Sequence, residues 1–76
     1  MKHLTIVIAF DYMQARQYAH RSGLRNGEWL FPLKPDDLDD VATKHVVYLD
    51  GWEKRKEAKA FKAAADAVIS RANDRA

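Results

Sequence analysis

Two aspartates, Asp11 and Asp50, follow the two main apolar runs of this chain, Leu4 to Phe10 and Val46 to Leu49. Carboxylates at the ends of neighbouring strands can divide acid and base work between them when their environments push their pKa values apart. Each also has a structural use. Asp11-Tyr12-Met13-Gln14 has capping-box spacing, with a short carboxylate to accept from helix amides and Gln14 to reach back, and Asp50-Gly51 forms a turn. The structural use is the favoured one, and no residue is assigned as catalytic. Trp52 can either stack a base or sugar or fill the crevice beside it. Lys54 and Arg55 fall at a helix start, where the macrodipole favours anions, so an anion or an acidic partner surface is their complement. His3, His20 and His45 lack paired metal-ligand spacing and cysteine is absent, so neither a metal nor a cofactor is expected. Glycine-rich phosphate loops, nucleophile elbows and zinc-helix motifs do not occur.

These residues need elements to hold them. Leu4 to Phe10 is β-branched and nearly continuously apolar, the pattern of a central strand buried on both faces of a parallel sheet. A helix follows Asp11, with Tyr12, Ala15, Ala19 and Ser22 on its inward face. It ends near Ser22, with Gly23 in the left-handed position and Leu24 folding back. Asn26-Gly27 marks a turn, and Glu28 to Phe31 is a second strand stopped by Pro32, which places it at a sheet edge. Pro35 opens a short helical turn through Asp36-Asp37-Leu38, anchored by Leu38 and Val41.

His45 to Leu49 is the third strand, and an Asp50-Gly51-Trp52 corner passes into a final helix from Trp52 or Glu53 to Asn73. Ala58, Phe61, Ala65, Val68 and Ala72 form its core stripe, widened by Ala64 and Ile69, and its length predicts an overhang beyond the sheet. The fold class is therefore α/β: a minimal Rossmann-like three-layer unit with a three-stranded parallel sheet of order 2-1-3 and a long C-terminal helix. Right-handed crossovers put the switch point between the ends of the first and third strands. Phe10, Asp11, Tyr12, Asp50, Gly51, Trp52 and Glu53 are expected to converge there, with Lys54 and Arg55 alongside, as the ligand-binding set.

Seventy-six residues make one small domain with a marginal core of its own. The absence of cysteine fits a reducing cytoplasm, and the longest early apolar run, Leu4 to Phe10, is too short for a membrane span or a signal peptide. The net charge of +2 is unevenly placed. Arg16, Arg21 and Arg25 lie in and after the first helix, Lys54 to Lys62 crowd the last, and Asp36, Asp37, Asp39 and Asp40 sit between them. Such blocks steer an anionic partner or complement one another between subunits.

The segment VVYLDGWEKRKEA resembles nucleoside 2-deoxyribosyltransferase-like Rossmannoid proteins, in which a strand ends in a Gly-Trp corner and the next helix carries a catalytic Glu. Gly51, Trp52, Glu53 and Ala58 match that pattern over some fifteen residues. Phe61 stands where the family has its nucleophile and Glu57 where a small residue is expected, so the resemblance implies the fold and not the transferase activity. The whole chain is similar to small single-domain α/β proteins of bacteriophages, through Ala15-Arg16-Gln17-Tyr18-Ala19, a Trp-bearing second strand and a Val-Val strand ending in a Trp corner. That resemblance implies a phage source, the bacterial host cytoplasm and a host or phage protein as partner.

Three function classes follow, in order. The first is a non-enzymatic interaction protein that self-associates as a dimer or larger assembly. The second is a module binding a nucleotide-like ligand in the Asp11/Trp52 crevice without turning it over. A basic-helix nucleic-acid binder comes last, because acidic residues are interspersed and no recognition motif occurs. Self-association is expected because two helices and one short connection are little cover for both faces of a parallel sheet. One face, or the edge bearing Trp29 and Phe31, should then remain partly bare, and the Lys54-to-Lys62 cluster of one copy, with Lys59 and Lys62, could meet the Asp36-to-Asp40 cluster of another, with Asp36 and Asp37.

Overall fold

The structure is a computed structural model that describes residues 4–74. Three strands, β1 (Thr5–Ile8), β2 (Trp29–Leu30) and β3 (Val46–Tyr48), form one parallel sheet in the order β2-β1-β3. This is the α/β arrangement and strand order read from the sequence. Thr5 and Ile6 align with Trp29 and Leu30 on one side, and Ile6, Val7 and Ile8 align with Val46, Val47 and Tyr48 on the other. Every strand is shorter than its apolar run. Beside β2 the ladder ends early because Pro32 supplies no donor, and Phe10 lies beyond the sheet, 51% exposed.

Ile6, Val7, Ile8 and Ala9 are fully buried, as a central strand requires. Side chains alternate along the strand. Ile6 and Ile8 pack with Leu38 and Val68, whereas Val7 and Ala9 pack with Ala15. Helix α1 (Tyr12–Arg21) therefore covers one face, and helix α2 (Ala58–Asp74), together with a single 3-10 turn at Pro35–Leu38, covers the other.

Local chemistry accounts for the α1 boundaries. The Asp11 Oδ1 accepts from Gln14 N–H at 2.9 Å, satisfying a donor that the first helical turn leaves free. At the far end, Gly23 has φ +73°, its N–H donates to His20 C=O, and Leu24 N–H donates to Ala19 C=O at 2.9 Å. That is a Schellman stop, and it depends on the conformational freedom of glycine. Of the expected inward face only Ala15 and Ala19 are buried. Ser22 is exposed at the C-cap, and Tyr12 swings over the sheet edge.

The start of α2 differs most from expectation. The segment Trp52–Lys54 is a separate 3-10 turn, Arg55 is extended at φ −70° and ψ 145°, Glu57 is left-handed at φ 68°, and the helix begins only at Ala58. Lys54, Arg55 and Lys56 in a first helical turn would oppose the macrodipole. Leaving the helix also releases Arg55 to be packed elsewhere. The stripe itself is as read: Phe61, Ala65 and Val68 are buried. The expected overhang is engaged instead, because the Arg71 guanidinium donates to Val41 C=O at 2.9 Å and also to Leu38 C=O.

Candidate functional site: the carboxyl ends of the strands

An open parallel α/β sheet presents ligands to the carboxyl ends of its strands. In this chain two of its own side chains occupy that position. Gln14, in the first turn of α1, accepts from Phe10 N–H through Oε1 at 2.8 Å and donates from Nε2 to Asp50 C=O at 2.8 Å. A capping box would have sent it to Asp11 N–H. It reaches one residue further because a carboxamide, carrying both an acceptor and donors, can bridge the end of β1 to the end of β3.

Arg55 performs the corresponding task at the β1–β2 side. Its Nη2 donates to Pro32 C=O at 3.1 Å, and Nη1 lies 3.5 Å from Ala9 C=O. The guanidinium carbon sits 4.7 Å from the centre of the Phe31 ring and 4.1 Å from that of Phe61. A guanidinium is planar and weakly hydrated, so it can lie between aromatic faces where an ammonium could not. Burial pulls its pKa below the ordinary arginine value, although the group remains charged at neutral pH.

The expected ligand-binding set divides. Gly51 approaches Phe10 closely, since a β-carbon there would lie 3.5 Å from the Phe10 Cβ, and Asp50 is tied in through Gln14. Asp11 is an exposed helix cap, and Glu53 and Lys54 are exposed. Trp52 is half-buried against the Ile6/Ile8/Leu38/Val68 cluster, and its ring centre is 4.9 Å from that of Tyr48. This packing is the space-filling use expected of it. Burial chiefly, and then the Asp66 carboxylate, raise the Tyr48 phenol above its ordinary value, with Lys62 acting in the opposite sense. Phe61, in the slot of the resembling enzymes' nucleophile, is 1% exposed and forms one side of the Arg55 stack.

The interface candidates are also rearranged. Trp29 and Phe31 are half-buried, so their edge is partly bare, as expected. Tyr12 stacks on Trp29 at 5.9 Å and meets Phe31 edge-on at 6.1 Å, so the chain covers this edge with its own tyrosine and with Arg55. Lys62 pairs with Asp66 of the same helix at 3.2 Å. Asp37 Oδ2 accepts from Leu33 N–H at 2.9 Å and from Lys34 N–H at 3.1 Å, ordering the turn. Asp36 and Lys59 are exposed. His3 lies outside the described residues.

Outside the closed strand ends lies an open depression of about 470 Å³, lined by Phe10, Leu33, Lys54, Arg55, Lys56, Glu57 and Phe61. Sequence reasoning overlooked Leu33, which is 70% exposed. Its one signal is an apolar residue isolated between Pro32 and Pro35 with no periodic partner. A second depression of about 430 Å³ lies on the outer face of α1, lined by Met13, Arg16, Gln17, His20 and Arg21. Among the described residues, no group of three or more His, Cys, Asp or Glu side chains converges, and no helix is long and apolar enough to cross a membrane. No protein-family model, curated protein or solved structure matches this chain.

Proposed function

We propose that this is a small non-enzymatic interaction protein that self-associates and engages a protein partner through its surface. One observation carries the reading. Gln14 and Arg55 occupy the strand ends where a small ligand would enter, while Phe10 and Leu33 stand exposed beside Lys54 and Lys56. Small-molecule sites are concave and mostly apolar, with a few placed polar groups. An open surface with exposed apolar side chains among cations suits a protein partner better. The likeness to small phage proteins makes a host or phage protein the partner class, and the cysteine-free composition suits the host cytoplasm.

The second reading, a nucleotide-like ligand, would use Phe10 for a base and Lys54 and Lys56 for phosphate. It ranks lower because Trp52, its intended stacking residue, is half-buried and packed against the core cluster. Light scattering across a wide concentration range, together with melting measured with and without nucleotides, separates the two. The interaction reading expects a mass above 8.7 kDa that falls on dilution and a melting temperature indifferent to nucleotides. A monomer at every concentration whose melting rises with millimolar nucleotide would overturn it.

A further inference from the structure

The exposed carboxyl-end face carries both signs of charge around an apolar centre. Leu33, 70% exposed, and Phe10, 51% exposed, share a depression with Lys54 and Lys56. The acidic turn follows Leu33 in the chain and is held beside it: the Asp37 carboxylate accepts from the backbone N–H of Leu33 itself. Asp36, next to it, is exposed. Lys54, Lys56 and Asp36 form no ion pair among the described residues, where the one ion pair is Lys62–Asp66. Glu57 also lines the depression, and Lys34, next to Leu33 in the chain, is exposed.

A patch with cations on one side of an apolar centre and carboxylates on the other is complementary to itself after a half-turn. We infer that this face is a two-fold interface in which Leu33 and Phe10 of two copies meet near the axis, while Lys54 and Lys56 of each copy face Asp36 of the other. The inference rests on the self-association reading above and names its surface.

Charge exchange between two variants tests the arrangement, with sedimentation equilibrium as the readout and far-ultraviolet dichroism as the check on folding. Leu33→Glu should raise the dimer dissociation constant by about tenfold or more, since it places a charge at the centre of the contact. Lys54→Glu/Lys56→Glu and Asp36→Lys should each weaken self-association by about threefold or more. Their equimolar mixture should form a heterodimer about as tight as the native homodimer, because one salt contact keeps its native sign and the other is restored with reversed sign. A native dimer indifferent to all three variants would show that the chain self-associates by a different surface, which overturns this inference and leaves the broader reading standing. A mixture that forms no heterodimer, or grows past the mass of two chains, would overturn the two-fold arrangement. A native chain that stays monomeric throughout would overturn both.

Discussion

Gln14 and Asp50 are joined by a hydrogen bond of 2.8 Å across 36 residues of sequence, and the same carboxamide holds Phe10 N–H at 2.8 Å. The ends of β1 and β3 are thereby tied together by a side chain of the first helix.

Replacing that tie gives the first prediction. Gln14→Ala should cost about 1–2 kcal/mol, the net worth of one or two partly solvated hydrogen bonds. Gln14→Glu should be no better, because a carboxylate keeps the bond from Phe10 but cannot donate to the Asp50 carbonyl. Urea denaturation reads both. A Glu variant as stable as native would show that the Asp50 bond contributes nothing.

The Arg55 stack gives the second. Phe61→Ala should lose about 3–5 kcal/mol, as expected for a buried aromatic. Arg55→Lys should lose about 1–2 kcal/mol although its charge is kept, since an ammonium cannot lie flat between two rings. A double-mutant cycle of Arg55→Ala with Phe61→Leu should show a coupling of about 1 kcal/mol. Additive losses would mean that the guanidinium only fills space.

Alkaline stability gives the third. The fold favours the neutral Tyr48 phenol, mainly by burial, so its folded pKa lies above the unfolded value of 10.0. Its contribution is complete below about pH 10 and disappears as pH climbs through the folded value, because the unfolded chain then releases the proton more readily. Melting of Tyr48→Phe should consequently decline less steeply than native melting above pH 10. Parallel declines would count against any coupling of this phenol to folding.

Glu57 gives the fourth. Its φ of 68° is strained for a residue with a β-carbon, by roughly 1 kcal/mol or more. Its carbonyl already accepts from Phe61 N–H at 3.0 Å, and a glycine would keep that bond. Glu57→Gly should raise stability by up to about 1 kcal/mol once the greater freedom of the unfolded glycine is subtracted. Equal or lower melting would place the strain relief below that entropy.

Much of the architecture was legible because it depends on near neighbours in the chain. The β-branched run at Ile6–Ile8, the Asp11 cap, the Gly23 stop and the three-and-four spacing of Phe61, Ala65 and Val68 are local patterns, and the structure contains each of them. The interruption between Trp52 and Ala58 was not legible. It combines an unfavourable cluster of cations with the attraction of Arg55 to Phe31 and Phe61, two rings that only the tertiary fold brings together. Gln14 misled for the same reason, since its spacing suggests a local cap while its second partner is Asp50. That Tyr12 lies against Trp29 and Phe31 was not legible either, because nothing in its helical period announces that its ring turns outward.

The two seams of the sheet are unequal, and this governs how the molecule comes apart. β1 is aligned with β3 at three positions but with β2 at only two, and the segment after β2 carries prolines at positions 32 and 35. Amide protons of Trp29 and Leu30 should therefore exchange with solvent faster than those of Ile6 to Ile8, through an opening that releases β2 without unfolding the core. Each such opening bares one side of β1, the most apolar strand in the chain, as a latent edge able to accept a strand from another copy. The short second strand thus acts as the latch that keeps this sheet from extending into its neighbours.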